Sequence, residues 1–393
     1  MEPENKKLNI DGDDYIGCLK KEEEKQLIEQ FRGLKFFDPK IDTLFKIIFG
    51  NSKNTDVAKS LIKAVLPEEE EIYDLKFNST EIYSNSNFNP DQRKIIVDIN
   101  AEDVKNNKFF IIEMQIHEVP DLLGRAELST SRIFDSLYTK NELVTLKKKI
   151  YSINFLYYDM FPKDKDYYHH IFPHEFNKKN VSIPFKDTVV IELKKFNEKF
   201  DESQINEELL LSNEKQRRIV ERQLWFAFLS KINTLYHKPT SIDNNKYFII
   251  KRKIKIKEEY DSQNQENVGK NQKKEDKMRE VVVYIKNEIS EKLFSILIKV
   301  GPIRKALELC VNLSESDIDK YVSDVNDHTG LLSLVDQQNQ QLKKKDEELE
   351  EKDKKLEEKD KIIEELENII NQYNKRNNYN ENNNYDNNKK TRI

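Results

Sequence analysis

Two short apolar segments, each containing an acidic side chain, constrain most strongly how this chain can fold. Residues 94–100 (KIIVDIN) are mostly apolar and β-branched but contain Asp98, and residues 109–116 (FFIIEMQI) contain Glu113. Runs of this composition are typical of strands, and residues 103–108 (DVKNNK) between them have the composition of a turn. The two segments therefore predict a β-hairpin.

Acidic side chains within apolar strands need compensation, because an unpaired buried carboxylate is strongly disfavoured. Side chains alternate between the two faces of a strand, so Glu113 and Gln115 share one face and Asp98 of the paired strand can lie beside Glu113. A hard divalent cation compensates such acids, because it takes oxygen ligands from carboxylates and keeps several waters. The hairpin therefore predicts a metal site.

The order and spacing of these residues resemble the PD-(D/E)XK nuclease superfamily. Asp98 is followed, 15 positions later, by Glu113-Met114-Gln115. This pattern is similar to the transposase-like branch, the recombination-promoting nucleases, whose third motif reads E-x-Q instead of E-x-K. Residues 42–50 (DTLFKIIFG) are similar to the D-x-x-F-K-x-x-F-G signature with which that branch begins.

Later segments agree with the same resemblance in their order. Arg125, in a helical run that ends at Leu137-Tyr138, is similar to the arginine-bearing helix that follows the active-site strand. Residues 151–158 and 189–196 are similar to later core strands. The resemblance covers roughly residues 36–240, and its specificity lies in the combination of these motifs.

The resemblance implies an α/β, restriction-endonuclease-like core with a mixed central sheet flanked by helices. It implies hydrolysis of DNA phosphodiester bonds with Mg²⁺, for which Mn²⁺ can substitute. Asp98, Glu113 and the main-chain carbonyl of Met114 would bind the metal. Gln115 would position water, and because glutamine carries no charge and is no base near neutral pH, more of the activation would fall to the metal. Arg125 would contact a phosphate.

Residues 42–49 show the apolar spacing of a helix, and two interpretations of Asp42 stand side by side. One is an N-terminal helix carboxylate, favoured by the helix dipole. The other, implied by the resemblance, is an outer metal or water contact near the catalytic pocket. For Lys46 an exposed residue on a helix face is the favoured interpretation, and a place near the same pocket is the alternative that the resemblance implies. Pro90-Asp91 lies in a turn-rich segment, so Asp91 is interpreted as turn chemistry and not as a metal ligand.

The segment after the hairpin, residues 122–143, predicts a long helix. Arg125 and Arg132 are seven residues apart, which is two helical turns, so they lie on roughly the same face. A guanidinium is well suited to contact a phosphate beside the metal, and it is equally suited to pair with a nearby acid. The place of Arg125 in the resemblance favours the phosphate contact.

Other residues with chemical potential favour structural interpretations. His170 and His174 have helical spacing, but Pro173 lies between them, so these two and His169 are predicted to lie in an exposed loop. Residues 216–235 predict an amphipathic helix in which packing explains Trp225, the only tryptophan. The arginines that begin this helix are interpreted as exposed to solvent, with a DNA-binding surface as the alternative; they are Arg217, Arg218 and Arg222.

Charged residues make up 35% and apolar residues 37% of the 393 positions. This is more charge and less apolar content than a purely globular chain has, so part of the sequence builds no core. The predicted segments are a polar leader (1–35), a nuclease-like domain (36–240), a basic strand and flexible linker (241–277), a helical segment (278–330), a charged coiled-coil-like helix (331–373) and a disordered Asn-rich tail (374–393).

The coiled-coil-like segment has only one complete apolar row. Apolar residues recur every seven positions from Val335 to Ile370, but the partner core position holds Lys345, Lys352 and Lys359. A two-stranded coiled coil requires apolar residues at both positions. The segment is consistent with a homodimer through this helix and also with an isolated charged helix held by Glu–Lys pairs.

The net charge of −5 means that any contact with DNA must come from local basic patches. Cys18 and Cys310 lie far apart, which argues against disulfides and zinc ribbons and fits a reducing compartment. The N-terminus has no apolar signal core, and no run approaches the roughly 20 apolar residues of a membrane span. We therefore expect an intracellular protein, cytoplasmic or nuclear.

The leading functional hypothesis is a metal-dependent DNA endonuclease that promotes recombination or transposition. The alternative is a weakly active or inactive DNA-binding or scaffold protein that oligomerises through its C-terminal helix. The presence of both acids favours the nuclease, whereas the acidic net charge argues against tight general DNA binding. The sequence is also consistent with a nuclease that acts on RNA.

Overall fold

The computed structural model describes residues 21–330, except for 32, 68–69, 83–93, 138–147, 176–177, 183–185, 242–245 and 256–277, together with isolated positions between 345 and 363. Residues Met1–Asn326 belong to one compact unit and Asp327–Ile393 to a second. The interpretations of Asp91, of the flexible linker and of the Asn-rich tail concern positions outside the described residues.

The first unit alternates helices and strands. Its α-helices are α1 (Lys21–Phe31), α2 (Asp42–Phe49), α3 (Thr55–Val65), α4 (Leu122–Ser136), α5 (Leu193–Lys199), α6 (Glu214–Ser230), α7 (Glu291–Leu297), α8 (Gly301–Val311) and α9 (315–330), the last of which continues into the second unit. Short 3-10 helices occupy Ser52–Asn54, Glu202–Gln204 and Glu207–Leu211. The strands are β1 (Leu75–Phe77), β2 (Glu81–Ile82), β3 (Ile95–Ile96), β4 (Ile99–Asp103), β5 (Lys108–Gln115), β6 (Lys149–Leu156), β7 (Tyr168–Ile171), β8 (His174–Glu175), β9 (Lys178–Ser182), β10 (Lys186–Glu192), β11 (Ile232–Leu235), β12 (Tyr247–Lys255) and β13 (Met278–Asn287).

The central sheet has the strand order β1-β4-β5-β6-β10-β7. Its middle strands β5, β6 and β10 run parallel, while β1, β4 and β7 pair antiparallel at the two sides. Strands β6 and β10 lie in the middle of the sheet and are covered on both faces, so they are buried along almost their whole length although each contains polar residues. The predicted mixed sheet flanked by helices is confirmed.

Alternation along β5 divides the helices between the two faces of this sheet. Phe110 and Ile112 belong to the large core that includes α2, α3 and α6. Phe109 and Ile111 instead pack with Ile133 of α4 on the opposite face. Glu113 continues the second row, because it is two residues beyond Ile111. The carboxylate predicted to be functional therefore lies on the face covered by α4, which also connects β5 to β6.

Trp225 packs among the helices on the face of the sheet opposite α4, which agrees with its predicted packing role. Its side chain is fully buried and its ring lies 5.6 Å from that of Phe49 in α2. The indole Nε1 donates a hydrogen bond of 3.1 Å to Ser60 Oγ in α3, which satisfies the polar atom of a buried tryptophan. One residue of α6 thus joins three helices.

The arginines that begin α6 are less exposed than predicted. Arg218 is only 2% exposed and its Nη2 donates to Glu214 at 2.8 Å, while Arg222 Nε donates to the carbonyl of Ala64 at 2.6 Å. Arg217 is a quarter exposed. The exposed-face interpretation is wrong for Arg218 and Arg222, because both guanidiniums bind neighbouring groups of the fold and are not available to DNA.

The prediction that His169 and His170 lie in an exposed loop is wrong. Both belong to β7, which pairs with β10, and the third histidine begins β8. His169 Nε2 lies 2.9 Å from Glu192 Oε2, and His170 Nε2 lies 2.9 Å from Asp187 Oδ2. Pro173 follows the strand instead of lying within a loop that contains the histidines. His169 and His170 therefore bind carboxylates of the neighbouring strand β10.

Two boundaries between strand and helix were also predicted incorrectly. Residues 278–300 were expected to be helical, but Met278–Asn287 forms β13 and the helix begins only at Glu291. The strand pairs with β12 along nine positions, and its β-branched run, VVVYI, favours a strand over a helix. The strand predicted up to Phe196 ends at Glu192, after which α5 begins.

The first and last helices of this unit pack into the same core. The rings of Phe31 in α1 and Phe294 in α7 stack 4.4 Å apart, and the core extends from Leu27 to Val325. The leader from Lys21 onward and the helical segment after β13 are therefore packed parts of the fold.

A buried ion pair connects these outer elements to the nuclease-like core. Lys40 Nζ lies 2.9 Å from Asp38 Oδ1 and donates to the Leu229 carbonyl at 3.1 Å. Asp38 Oδ2 accepts from Thr234 N at 2.8 Å, and Asp38 N donates to Tyr321 Oη at 3.1 Å. Although Asp38 opposes it, complete burial lowers the pKa of Lys40. Because the charges are paired and hydrogen-bonded, the pair ties α6, β11 and α9 to the segment before α2.

In the second unit the described positions are helical, and Leu356 and Ile363 are 62% and 53% exposed. Homodimerisation through this helix stays a prediction. None of the helices among the described residues combines the length and the apolar character needed to cross a membrane.

The N-terminus of α2 is capped from a distant part of the chain. Its own N-cap residue is Ile41, whose side chain cannot accept a hydrogen bond. Asp324 of α9 takes over this function, because its Oδ2 accepts from Thr43 N at 2.9 Å and from Thr43 Oγ1 at 2.5 Å. A carboxylate at this position also interacts favourably with the helix dipole.

We therefore expect Asp324→Ala to lower the free energy of unfolding by about 1 kcal/mol, the typical effect of losing an N-cap. Asp324→Asn should retain most of the stability, because an asparagine oxygen also caps helices well. Urea denaturation followed by circular dichroism measures both. Asp327→Ala, on an exposed position of the same helix, is the control, and an equal loss in this control would contradict the capping role.

Candidate active site

Asp98 lies at the bend where the chain leaves one sheet and enters another. β3 pairs with β2 in a small two-stranded sheet, whereas β4 pairs with β5 in the central sheet. The prediction that residues 94–100 form one strand with Asp98 at its centre is therefore wrong. The direction change between the two pairings places the aspartate in the bend, directly before β4.

The Asp98 carboxylate replaces a hydrogen bond of the sheet. Pairing between β4 and β5 begins at Ile99 opposite Ile112, so β5 continues beyond the end of its antiparallel partner. Asp98 Oδ2 accepts from Met114 N at 2.9 Å, which satisfies a backbone donor in the part of β5 that has no partner in β4. The carboxylate is held against the strand that carries Glu113, as the hairpin prediction required.

Asp98 and Glu113 form a coupled pair of partly buried acids. Burial and the Asp42 charge raise the pKa of Asp98, against the opposing effects of Met114 N and Lys46. Burial and the nearby Asp98 charge raise the pKa of Glu113, and Arg125 opposes this rise. Since each charge disfavours the other, the pair holds a proton more readily than two exposed carboxylates do.

Lys46 is the cation that contacts Asp98. Its Nζ lies 2.7 Å from Asp42 Oδ1 and 3.5 Å from Asp98 Oδ1. Although partial burial opposes it, the two acids raise the pKa of Lys46, so the lysine is charged. The Lys46 side chain is 37% exposed, as the helix-face interpretation predicted, and it also lies beside the carboxylate pair, as the alternative implied. The spacing of Asp42 and Lys46, one helical turn, was the signal that predicts their ion pair.

Asp42 is the first residue of α2, as its structural interpretation predicted. It also lies close enough to Asp98 to raise the pKa of that residue, so the two interpretations of Asp42 are compatible. Helix α2 therefore brings one carboxylate, Asp42, and one ammonium group, Lys46, to the edge of the carboxylate pair.

Gln115 and Arg125 lie on the other side of Glu113. Gln115 Nε2 donates to Glu113 Oε2 at 3.2 Å, so the amide orients the carboxylate within the same strand face. Arg125 is exposed, and its charge favours the ionised form of Glu113. Gln115 and Arg125 therefore interact with the Glu113 carboxylate, whereas Lys46 and Met114 N interact with the Asp98 carboxylate.

A cavity of about 310 Å³ opens beside Glu113 between β5, β6 and α4. Its polar lining includes residues that the sequence did not single out, Ser152 and Asn154 of β6. Asn154 lies opposite Glu113 in the parallel pairing, which places it on the same face. A sequence signal existed, since both polar residues interrupt an otherwise apolar strand.

The donor set fits a hard divalent cation that is bound in part by water and substrate. The part of the chain that the structure describes contains no group of three or more His, Cys, Asp or Glu side chains arranged to hold a metal. Mg²⁺ commonly uses only one or two protein carboxylates and completes its shell with waters and phosphate oxygens. Asp98 and Glu113, which repel each other in the absence of a cation, have the required chemistry.

Comparison with known proteins agrees with this geometry. A family model described as PD-(D/E)XK nuclease family transposase matches residues 39–287. The matched segment begins before α2, includes the β4–β5 hairpin and α4, and ends with β13. No curated protein and no solved structure gives a significant match.

The raised pKa of Glu113 predicts that this carboxylate destabilises the metal-free fold at neutral to mildly basic pH. In the unfolded chain Glu113 ionises at its ordinary pKa, whereas the folded chain disfavours the charge. Stability is therefore lost as the pH rises from the ordinary pKa towards the raised one. Glu113→Gln removes this effect, and we expect it to stabilise the metal-free protein by about 1 kcal/mol under those conditions.

Thermal denaturation in EDTA, from mildly acidic to mildly basic pH, measures this difference. Glu102→Gln, on the neighbouring strand β4, is the control. Equal stability of the wild type and Glu113→Gln at every pH would show that Asp98 and Glu113 do not repel each other as described.

Proposed function

Because the chain belongs to the PD-(D/E)XK nuclease transposase family, we propose that it is a metal-dependent endonuclease that hydrolyses DNA phosphodiester bonds and promotes recombination. The observation that supports this most directly is the coupled acid pair, Asp98 and Glu113, beside a cavity lined by arginines. The E-x-Q form of the third motif, Glu113-Met114-Gln115, supports assignment to the recombination-promoting branch.

The proposed cofactor is Mg²⁺, with Mn²⁺ as a substitute. Asp98, Glu113 and the main-chain carbonyl of Met114 would hold it. When bound, such a cation polarises water and stabilises charge on the phosphoryl and leaving oxygens. Both carboxyl groups must be ionised to provide two charged ligands, so metal affinity should rise with pH through the range of their raised pKa values.

The residues around the pair have separate roles in this proposal. Met114 N fixes the Asp98 carboxylate, and Gln115 Nε2 fixes Glu113. Gln115 can also hydrogen-bond the attacking water but cannot take its proton. Arg125, exposed beside Glu113, would bind the phosphate and neutralise charge that develops on it.

Lys46 would supply the positive charge that the third motif lacks. In E-x-K relatives a lysine offsets charge at the site, and Gln115 stands at that position here. Lys46 reaches Asp98 from α2, and the acids around it keep it protonated. It therefore serves as a fixed cation and not as the general base. Its proposed role is to stabilise the charge of the transition state next to Asp98.

The test of the main proposal is cleavage of supercoiled plasmid by the full chain with Mg²⁺, Mn²⁺ or EDTA. We expect nicking that requires metal and that falls by about a hundredfold or more in Asp98→Asn and Glu113→Gln, because each change removes one proposed ligand charge. Both substitutions nearly preserve side-chain shape, so folding is checked by thermal denaturation.

Absence of cutting by a folded wild-type chain in both metals would favour the DNA-binding or scaffold alternative. Cutting that survives both substitutions would mean that these acids are not the ligands. Parallel reactions with RNA distinguish a nuclease that acts on RNA.

The role of Lys46 predicts a compensating pair of substitutions. Lys46→Met should lower the cleavage rate by about a hundredfold, as removal of a fixed electrostatic group does in other enzymes. Adding Gln115→Lys to that variant should restore part of the rate, because it returns a cation to the strand that carries Glu113. Single-turnover cleavage measures the chemical step, and Lys53→Met, an exposed lysine after α2, is the control. A full rate in Lys46→Met would refute the role.

A further inference from the structure

The cavity beside Glu113 is larger than one phosphate requires. Its volume is about 310 Å³, and Glu113 and Gln115 form part of its lining. Small-molecule sites in proteins range from about 300 to 1,000 Å³, so this cavity can hold a ligand of nucleotide size and cannot hold a double helix. It is continuous with the site at which the phosphodiester bond would be cut.

Much of the lining is apolar, which does not suit a phosphate. Ile111 and Leu122 line the cavity, together with Ile96 and Leu128. The last two are 52% and 50% exposed, so they present apolar surface to solvent in the absence of a ligand. A hydrated phosphate gains nothing from such surfaces, whereas the face of a base does.

Polar groups occur on a different part of the same lining. Ser152 and Asn154 line the cavity, and Asn154 Nδ2 donates to Ser152 Oγ at 3.0 Å and to the Val189 carbonyl at 3.3 Å. These contacts hold the two side chains in place on β6. Apolar surfaces for the face of a ring and fixed polar groups for its edge are the combination that enzymes use for a displaced base.

The helix side of the cavity carries the positive charge. Arg125, Ser129 and Arg132 follow one another at spacings of four and three residues, so they lie on one face of α4, and all three line the cavity. The two arginines are separated by two helical turns, about 11 Å along the axis. They can therefore contact the phosphates on either side of a nucleotide in the cavity.

From these observations we propose that the cavity binds one nucleotide of the DNA strand, taken out of the base stack, next to the phosphate that is cut. This inference rests on the proposed nuclease function and adds its substrate class, DNA with an unpaired or displaced nucleotide. Displacing a base from an intact duplex requires unstacking and unpairing, and an unpaired base avoids most of that energy. The protein therefore prefers DNA in which the base is already unpaired.

Binding is tested with full-length protein that carries Asp98→Asn, in EDTA, so that no cutting occurs and one negative charge is removed from the site. The probes are two short duplexes of the same sequence, one fully paired and one with a single unpaired 2-aminopurine nucleotide. We expect about tenfold tighter binding of the second. The cavity lining contains no aromatic residue among those that the structure describes, so the bound 2-aminopurine should stay brightly fluorescent.

A pair of matched substitutions on α4 tests the cavity itself. Ser129→Met fills it, and the preference for the unpaired duplex should fall to about onefold while affinity for the paired duplex is kept. Ser131→Met makes the same change at an exposed position of the same helix and should keep the preference. Leu128→Ser changes a half-exposed residue of the lining and so leaves the core undisturbed. It should reduce the preference for the unpaired duplex by about threefold.

Equal affinity for the two duplexes, or a preference that Ser129→Met and Leu128→Ser leave intact, overturns the inference. Its failure is distinguishable from failure of the proposed function. A wild-type chain that cuts DNA but shows no preference refutes the nucleotide site alone. A chain that prefers the unpaired duplex but cuts no DNA in either metal supports the nucleotide site and refutes the endonuclease.

Discussion

The mutual repulsion of Asp98 and Glu113 is the constraint on which the site depends. Two partly buried acids are unfavourable together, and the surrounding contacts limit how far they can separate. Met114 N holds Asp98 against β5, and the sheet itself fixes Glu113. Lys46 reduces the repulsion from one side only. The fold therefore holds two acids close together in an arrangement that a divalent cation would stabilise. The same contacts that preorganise the site also make it locally unstable without a cation.

The position of Lys46 beside this pair also depends on elements beyond the family-matched segment. The match ends at residue 287, yet Asp324 of α9 caps the helix that carries Lys46. Tyr321 of the same helix accepts from the backbone of Asp38, whose carboxylate forms the buried ion pair with Lys40. Both contacts position the start of α2. The helices after β13 thus act on the site through the orientation of α2 and contribute no residue to the carboxylate pair.

How much the sequence predicts depends on whether a feature is local. The hairpin, the common location of Asp98 and Glu113, and the packing of Trp225 follow from spacing and alternation. The bend at Asp98 does not, because it arises from pairing with two different strands. Residues 278–287 differ from the bend: their β-branched run favours a strand, a local signal that the helical prediction missed, and pairing with β12 agrees with it. The Asp324 cap joins residues too far apart in sequence for any local pattern to predict.

Charge balance connects metal binding with DNA binding. Without a metal ion, the carboxylates of Asp42, Asp98 and Glu113 offset the positive charge of Lys46, Arg125 and Arg132, so the site has little net attraction for a polyanion. A bound divalent cation would add positive charge and attract phosphate. Since the whole chain also carries a net charge of −5, general attraction to DNA is weak, and recognition must come from short-range contacts in the cavity. The proposed cleavage therefore needs the metal, whereas the proposed contacts in the cavity act without it.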